Sequence, residues 1–187
     1  MRSIRAIFLI LFIYLAILDG YGQDKLSIAA GLNYSSVSSI NSSNPDGKLG
    51  LNAGVAYKIY LNDLGWFIKP GLAYSQEGWL LQRLDYLNVP VIAGFDFTED
   101  FNFNIGFQYG YLVGGLNDPA GIVERSNLAF LVGFEFYPAD AFDVGLRFAN
   151  GLNNIIADPT DIVIKDARTY SIQFYFGFNL VKKKGNS

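Results

Sequence analysis

Neither cysteine nor histidine occurs anywhere in the chain. The first absence excludes disulfides and thiolate chemistry; the second removes the commonest general base and metal ligand. Charge is also sparse, at 17% of residues, and leans acidic. A nucleic-acid partner, whose phosphates demand a basic face, is therefore not expected. The basic cluster of Lys182, Lys183 and Lys184 follows the last apolar segment and reads as a solvated tail. Long apolar runs are confined to the N-terminus. Arg2 and Arg5 precede a run from Ala6 to Leu18, and Gly20-Tyr21-Gly22 offers a small-x-small cleavage site. As a helix that run reaches only about 20 Å, short of a bilayer core. Residues 1–22 therefore read as a secretory signal peptide, with the mature chain starting at Gln23. Losing Arg2, Arg5 and Asp19 leaves 12 basic and 16 acidic residues, a net charge of −4. No cysteine follows to carry a lipid anchor.

What is abundant is aromatic side chains, 16% of the chain, and their spacing is regular. From Phe101 to Tyr111 every odd position is large and apolar or aromatic, and every even position is Asn, Gln or Gly. Alternation of period two sustained this long predicts a β-strand with two unlike faces. It is long enough to cross a membrane, which takes roughly 9–11 residues at a tilt. The polar face is uncharged here, which suits a narrow lumen better than open water.

The same alternation predicts seven more strands, at 25–34, 49–60, 66–75, 86–97, 127–137, 142–150 and 169–181. Their outward sets include Leu32, Val55, Ile59, Leu72, Val91, Phe130, Phe148 and Phe174. The connections alternate in length. Those at 61–65, 98–100 and 138–141 are turn-sized, and those at 35–48, 76–85, 112–126 and 151–168 are longer. Bacterial outer-membrane barrels have an even strand number, short periplasmic turns and long external loops. The expectation is an all-β fold: an eight-stranded antiparallel up-and-down transmembrane β-barrel over residues 23–187, in a Gram-negative outer membrane, with both termini periplasmic.

Two sets of inward residues stand out. Each strand carries an inward glycine: Gly31, Gly54, Gly71, Gly94, Gly106, Gly133, Gly145 and Gly177. Glycines in strands help a small barrel bend its sheet. Six ionisable residues share the inward parity: Lys58, Lys69, Asp96, Glu135, Asp143 and Arg147. A lumen this narrow is filled by side chains, and unpaired charge there is costly, so a mutually neutralising network is expected. Two prolines, Pro70 and Pro90, each remove a ladder donor inside a strand, which predicts local bulges or breaks.

The order of several short motifs resembles the PorT-like outer-membrane β-barrel family. They are Ala30-Gly31-Leu32-Asn33-Tyr34-Ser35, then Lys69-Pro70-Gly71-Leu72-Ala73-Tyr74-Ser75-Gln76-Glu77-Gly78, then Leu84-Asp85-Tyr86-Leu87-Asn88-Val89-Pro90. The last is similar to that family's Tyr-Leu-x-Ile-Pro strand, and the Phe107–Tyr111 and Tyr170–Leu180 segments fit too. The resemblance implies an eight-stranded outer-membrane barrel; it does not imply an enzyme, a cofactor or a catalytic residue. One departure is that the last strand does not end the chain on an aromatic residue. The segment 170–181 is still expected to be the signal read by the barrel-assembly machinery.

The function expected is structural or surface-interacting and non-enzymatic, with membrane lipid and an extracellular or envelope protein as partners. Three other classes compete with it. A secreted calyx holding an apolar ligand would reverse the parity seen here. A narrow solute pore is opposed by the inward charges. An enzyme using Glu135 with Asp143 or Asp96 as an acid–base pair would have its carboxylates held ionised by nearby cations. Nor does a serine nucleophile have an ordinary base in a chain without histidine. The loops at 40–48 and 116–121 are polar and carry no recognisable binding motif.

Overall fold

The computed structural model describes residues 25–38, 46–79, 82–116, 123–139, 141–155 and 167–181. The expected signal peptide, the Lys182–Lys184 cluster and most of the loops at 40–48 and 116–121 lie outside them. Eight strands follow in order: β1 (Lys25–Ser38), β2 (Lys48–Tyr60), β3 (Trp66–Trp79), β4 (Gln82–Asp96), β5 (Phe101–Leu116), β6 (Ser126–Ala139), β7 (Phe142–Gly151) and β8 (Arg168–Val181). Each pairs antiparallel with its neighbours, and β1 closes on β8, giving a closed barrel. The closing seam runs from Lys25↔Val181 to Ser38↔Arg168. Closure leaves no sheet edge, which is what lets strands cross hydrocarbon where free backbone groups would find no water.

The pleat sorts the side chains as the alternation predicts. Phe107, Phe134, Phe174 and Phe176 are exposed on the outside, while Asn102, Asn104, Gln108 and Gln173 are buried inside. This is the reverse of a calyx. Outward rings also meet across strands: Phe101 and Phe136 have centroids 4.6 Å apart, and Phe142 and Phe178 5.4 Å. Cross-strand pairs of this kind stabilise a sheet by about 0.2–1 kcal/mol each. Ile59 is an exception to the parity, being only 2% exposed. Inside, a small apolar island of Ile92, Ala129, Leu131 and Ala149 interrupts the polar lining.

Two expectations about connections are corrected. The segment 76–85 is not a loop. Gln76 to Trp79 continue β3 and pair with Gln82 to Asp85 of β4, leaving residues 80–81 as the whole connection. Gly78 makes this possible with a φ of 126°, a conformation open to glycine and strained for other residues. Likewise β5 continues to Leu116, beyond the predicted end at Tyr111. Polar Gln76 and Glu77 in β3, and the run Leu112-Val113-Gly114-Gly115 in β5, break the alternation, but the backbone ladder continues through both. At the prolines the ladder breaks without changing register. Between β2 and β3 the pairing stops at Ala56↔Gly71 and resumes at Ile59↔Ile68. Between β3 and β4 it skips from Pro70↔Val91 to Ala73↔Asn88. The bulges lie elsewhere, at Asp85/Tyr86 and Phe136/Ala139.

The inward glycines are explained mainly by space. None of the eight has a positive φ; among described residues only Gly65 and Gly78 do. A Cβ on Gly94 would strike the Phe67 ring, on Gly145 the Tyr175 ring, and on Gly177 the Asp143 carboxylate. At Gly31, on the closing seam, it would strike the Phe174 carbonyl and Tyr175 Cα, which are backbone and cannot swing away. Gly31→Ala is expected to destabilise the barrel by about 1–3 kcal/mol, the usual cost of overpacking. Gly114→Ala, whose Cβ would find its nearest neighbour at 3.5 Å, should stay within about 0.5 kcal/mol. Urea unfolding of both variants in lipid vesicles checks the pair.

Candidate functional site in the barrel lumen

Five of the six inward charges lie next to the short turns, within four residues of one on their strands, and Arg147 sits in the middle of β7. Near the mouth, Lys58 Nζ sits 2.8 and 3.0 Å from the two oxygens of Asp96, and the Tyr60 hydroxyl donates to the same carboxylate at 2.7 Å. The ammonium also lies over the Phe67 ring, 4.0 Å from its centroid. Such a cation–π contact gains strength where water is excluded.

Deeper in, Glu135 gathers donors from across the barrel. Lys69 Nζ and the Tyr175 hydroxyl both reach Oε1 at 2.7 Å. Asn102 Nδ2 at 3.1 Å and the Tyr137 hydroxyl at 2.8 Å satisfy Oε2. Arg147 stands 4.0 Å from Oε1 and donates to Tyr175 at 3.2 Å. The side chain of Glu135 is fully buried. One carboxylate thus organises groups from β3, β5, β6, β7 and β8, none adjacent in sequence except Tyr137. Asp143 is placed differently. It accepts from Asn179 at 2.7 Å and Ser27 at 3.5 Å, and among described residues no cation lies within 4.0 Å. Glu135 and Asp96 are each engaged by a cation and a phenol, so neither presents a free lone pair toward a substrate. No group of three His, Cys, Asp or Glu side chains suited to a metal occurs among the described residues.

Three features were missed from the sequence. Glu77, 4% exposed, is a further inward carboxylate beyond the predicted end of β3, and it faces Ser75 and Asn88. The second is an amide and hydroxyl layer above the charges, in which Asn33 donates to Ser75 and Asn127 to Thr169, at 2.8 and 2.9 Å. The third is an apolar closure of the loop end. Val37 packs with Ile155 and Ala167, and Leu84 and Tyr86 pack with Val123, with Trp79 against both groups. Backbone bonds from Glu124 to Ile155 and from Ile155 to Ala167, at 2.7 and 2.9 Å, tie two loops together across the opening. The signal available in the sequence was the pair of aliphatic doublets Ile122-Val123 and Ile155-Ile156 in two of the long connections. A cavity of about 60 Å³ is lined by Lys69, Arg147, Asn52 and Gln108 together with Val55 and Tyr74.

A closed eight-stranded barrel that is apolar outside, polar inside and filled along its axis is the architecture of an outer-membrane protein. Residues 23–157 match the outer membrane protein beta-barrel domain. The chain belongs to that family. Its fold is shared with solved outer-membrane barrels of low sequence identity. Ail, the attachment invasion locus protein of Yersinia pestis, seen with the heparin analogue sucrose octasulfate, is 18% identical with a TM-score of 0.51, covering 85% of this chain and all of Ail. Neisserial surface protein A is 11% identical with a TM-score of 0.59, covering 83% and 97%. No curated protein matches the chain. The fold places this protein in the outer membrane, in contact with its lipid.

Proposed function

We propose that this protein is a non-conducting, non-enzymatic barrel of the PorT-like branch, whose rigid wall presents an external face to a protein partner. The observation that carries this reading is the double closure of the lumen, by Lys58, Asp96 and the Glu135 cluster at one end and by the Trp79–Val123–Ile155 packing at the other. A barrel sealed at both ends is spent on its surface, and the loops on its rigid frame are where specificity sits. The likeness of the wall to Ail, a protein named for attachment and invasion, supports the same reading. In this scheme residues 1–22 direct export, 170–181 are read by the barrel-assembly machinery, and both termini and the short turns face the periplasm. The six charges act as a structural plug.

Two measurements test it together. Membrane-extracted protein should migrate differently on a gel before and after boiling, showing a folded barrel. The same material in a planar bilayer should show no discrete open-channel current steps. Such steps from the heat-modifiable species would overturn the proposal in favour of a solute pore.

A further inference from the structure

Both faces of the barrel wall contribute to the cavity beside Lys69. On its lining Ala53, Val55 and Tyr74 have the outward parity, and Gly54, Ala56 and Ala73 the inward one. Val55 and Tyr74 are 45% and 36% exposed on the surface that meets lipid. The wall is thin here because its inward residues are small. Gly54, Ala56, Gly71 and Ala73 stand on β2 and β3, where β5 and β8 carry Asn102, Asn104, Gln173 and Tyr175. Gly54, Ala56 and Ala73 are half-buried, whereas Gly106, Gly133 and Gly145 of the same parity are buried. The side chains that fill the lumen thus stop short of β2 and β3.

The backbone ladder is weakest next to the same residues. On one flank of β3 the pairing skips from Ala56↔Gly71 to Ile59↔Ile68. On the other flank it skips from Pro70↔Val91 to Ala73↔Asn88. Pro70 and Pro90 have no N–H with which to mend it. Ala56, Ala73 and Pro90, which border these gaps, all line the cavity.

We infer that the cavity is a lateral pocket, opening through the wall at β2 and β3, that takes the end of a lipid acyl chain. Its occupant follows from what lies outside. Val55 and Tyr74 belong to the lipid-covered surface, so hydrocarbon is the medium at the mouth. Ala53, Ala56, Ala73, Pro90 and Ile92 continue that apolar surface inward. Water gains little in a recess with such walls, and an empty recess forfeits dispersion contacts on every side. The chain stops at the polar layer of Lys69, Gln108 and Arg147, which stays hydrated. At about 60 Å³, roughly four to six times the 10–15 Å³ of one water, the pocket admits a chain end and not a whole lipid. Entry is from the side, so the axis of the barrel stays closed.

The probe is a phosphatidylcholine with a diazirine at the end of one acyl chain, diluted into dioleoylphosphatidylcholine vesicles that hold the full chain. Light expels dinitrogen from the diazirine, the carbene left behind inserts into a neighbouring C–H bond, and peptide mass spectrometry locates the adducts. Adducts should fall on inward Ala56 and Ala73 as well as on outward Val55 and Tyr74. Inward Asn104 and Gly133, on the opposite wall, should stay clean. Ala73→Leu fills the recess, and it should lower the Ala56 adduct about fivefold or more. The adduct on lipid-facing Phe107 and the heat-modifiable gel shift should both be kept. Should Ala73→Leu fail to fold, the wild-type map decides alone. Adducts confined to outward residues, adducts spread over Asn104 and Gly133, or equal labelling of Ala56 in wild type and folded Ala73→Leu would each overturn the inference.

Discussion

Replacing Glu135 with glutamine is expected to destabilise the barrel by about 3–5 kcal/mol, the range seen when one partner of a buried ion pair is removed. The carboxylate is fully buried and accepts from Lys69, Tyr175, Asn102 and Tyr137. Glutamine has nearly the same shape but presents an amide N–H₂ to one pair of these donors, so hydrogen bonds are lost along with the charge. Lys69 and Arg147 then remain in a confined interior without their counter-charge. Equilibrium urea unfolding in phospholipid vesicles, followed by the fluorescence of Trp66 and Trp79, measures the loss. Adding Lys69→Met to Glu135→Gln removes one stranded cation. The double variant should therefore be more stable than the two single losses summed, with a coupling of about 0.5–3 kcal/mol. If Glu135→Gln unfolds at the wild-type urea concentration, the cluster is not what holds the turn end of the barrel together.

The barrel and its sidedness were legible because one physical rule, period-two alternation, acts on every strand independently. Phe101 to Tyr111 declares both faces without reference to any other residue, and inward parity alone selected Lys58, Lys69, Asp96, Glu135, Asp143 and Arg147. What parity does not carry is distance around the barrel. Glu135 meets Lys69 across 66 positions of sequence and Tyr175 across 40. Those meetings depend on strand tilt and side-chain reach, which no local pattern encodes. The loop end was hidden for a different reason. Strand β3 runs on into polar Gln76 and Glu77 and β5 into Leu112-Val113-Gly114-Gly115, so the last residues of both lose the alternation while keeping the ladder. Glu77 lay in that unread extension. The apolar closure joins Val123 and Ile155 of two loops to strand residues such as Val37 and Tyr86, and those loop residues gain their meaning only when the loops are brought over one opening. Pro70 and Pro90 show the converse, a local rule read correctly in kind. Each interrupts the ladder, yet the pairing on either side holds its register.

Phe107→Arg puts the sidedness to the most direct test, with an expected cost of about 2–4 kcal/mol, the penalty for arginine on the lipid face near the bilayer midplane. Phe107 lies near the middle of the outward run from Phe101 to Tyr111, is 54% exposed, and meets the Phe130 ring edge-on with centroids 5.5 Å apart. On a soluble protein, a substitution at so exposed a site stays within about 0.5 kcal/mol, because an arginine there is simply hydrated. In hydrocarbon the guanidinium has to snorkel or draw water down with it, and the Phe130 pair is lost as well. Val113→Arg supplies the control on the same strand. Val113 is 56% exposed on the same outward face but lies six residues further along β5, near its loop end, where the depth-dependent penalty falls to about 0–1 kcal/mol. Both variants are unfolded by urea in vesicles of one lipid composition, so the difference between them isolates depth from the chemistry of arginine. Equal costs would mean that hydrocarbon does not cover Phe107, and the outward aromatic face would then need an occupant other than lipid.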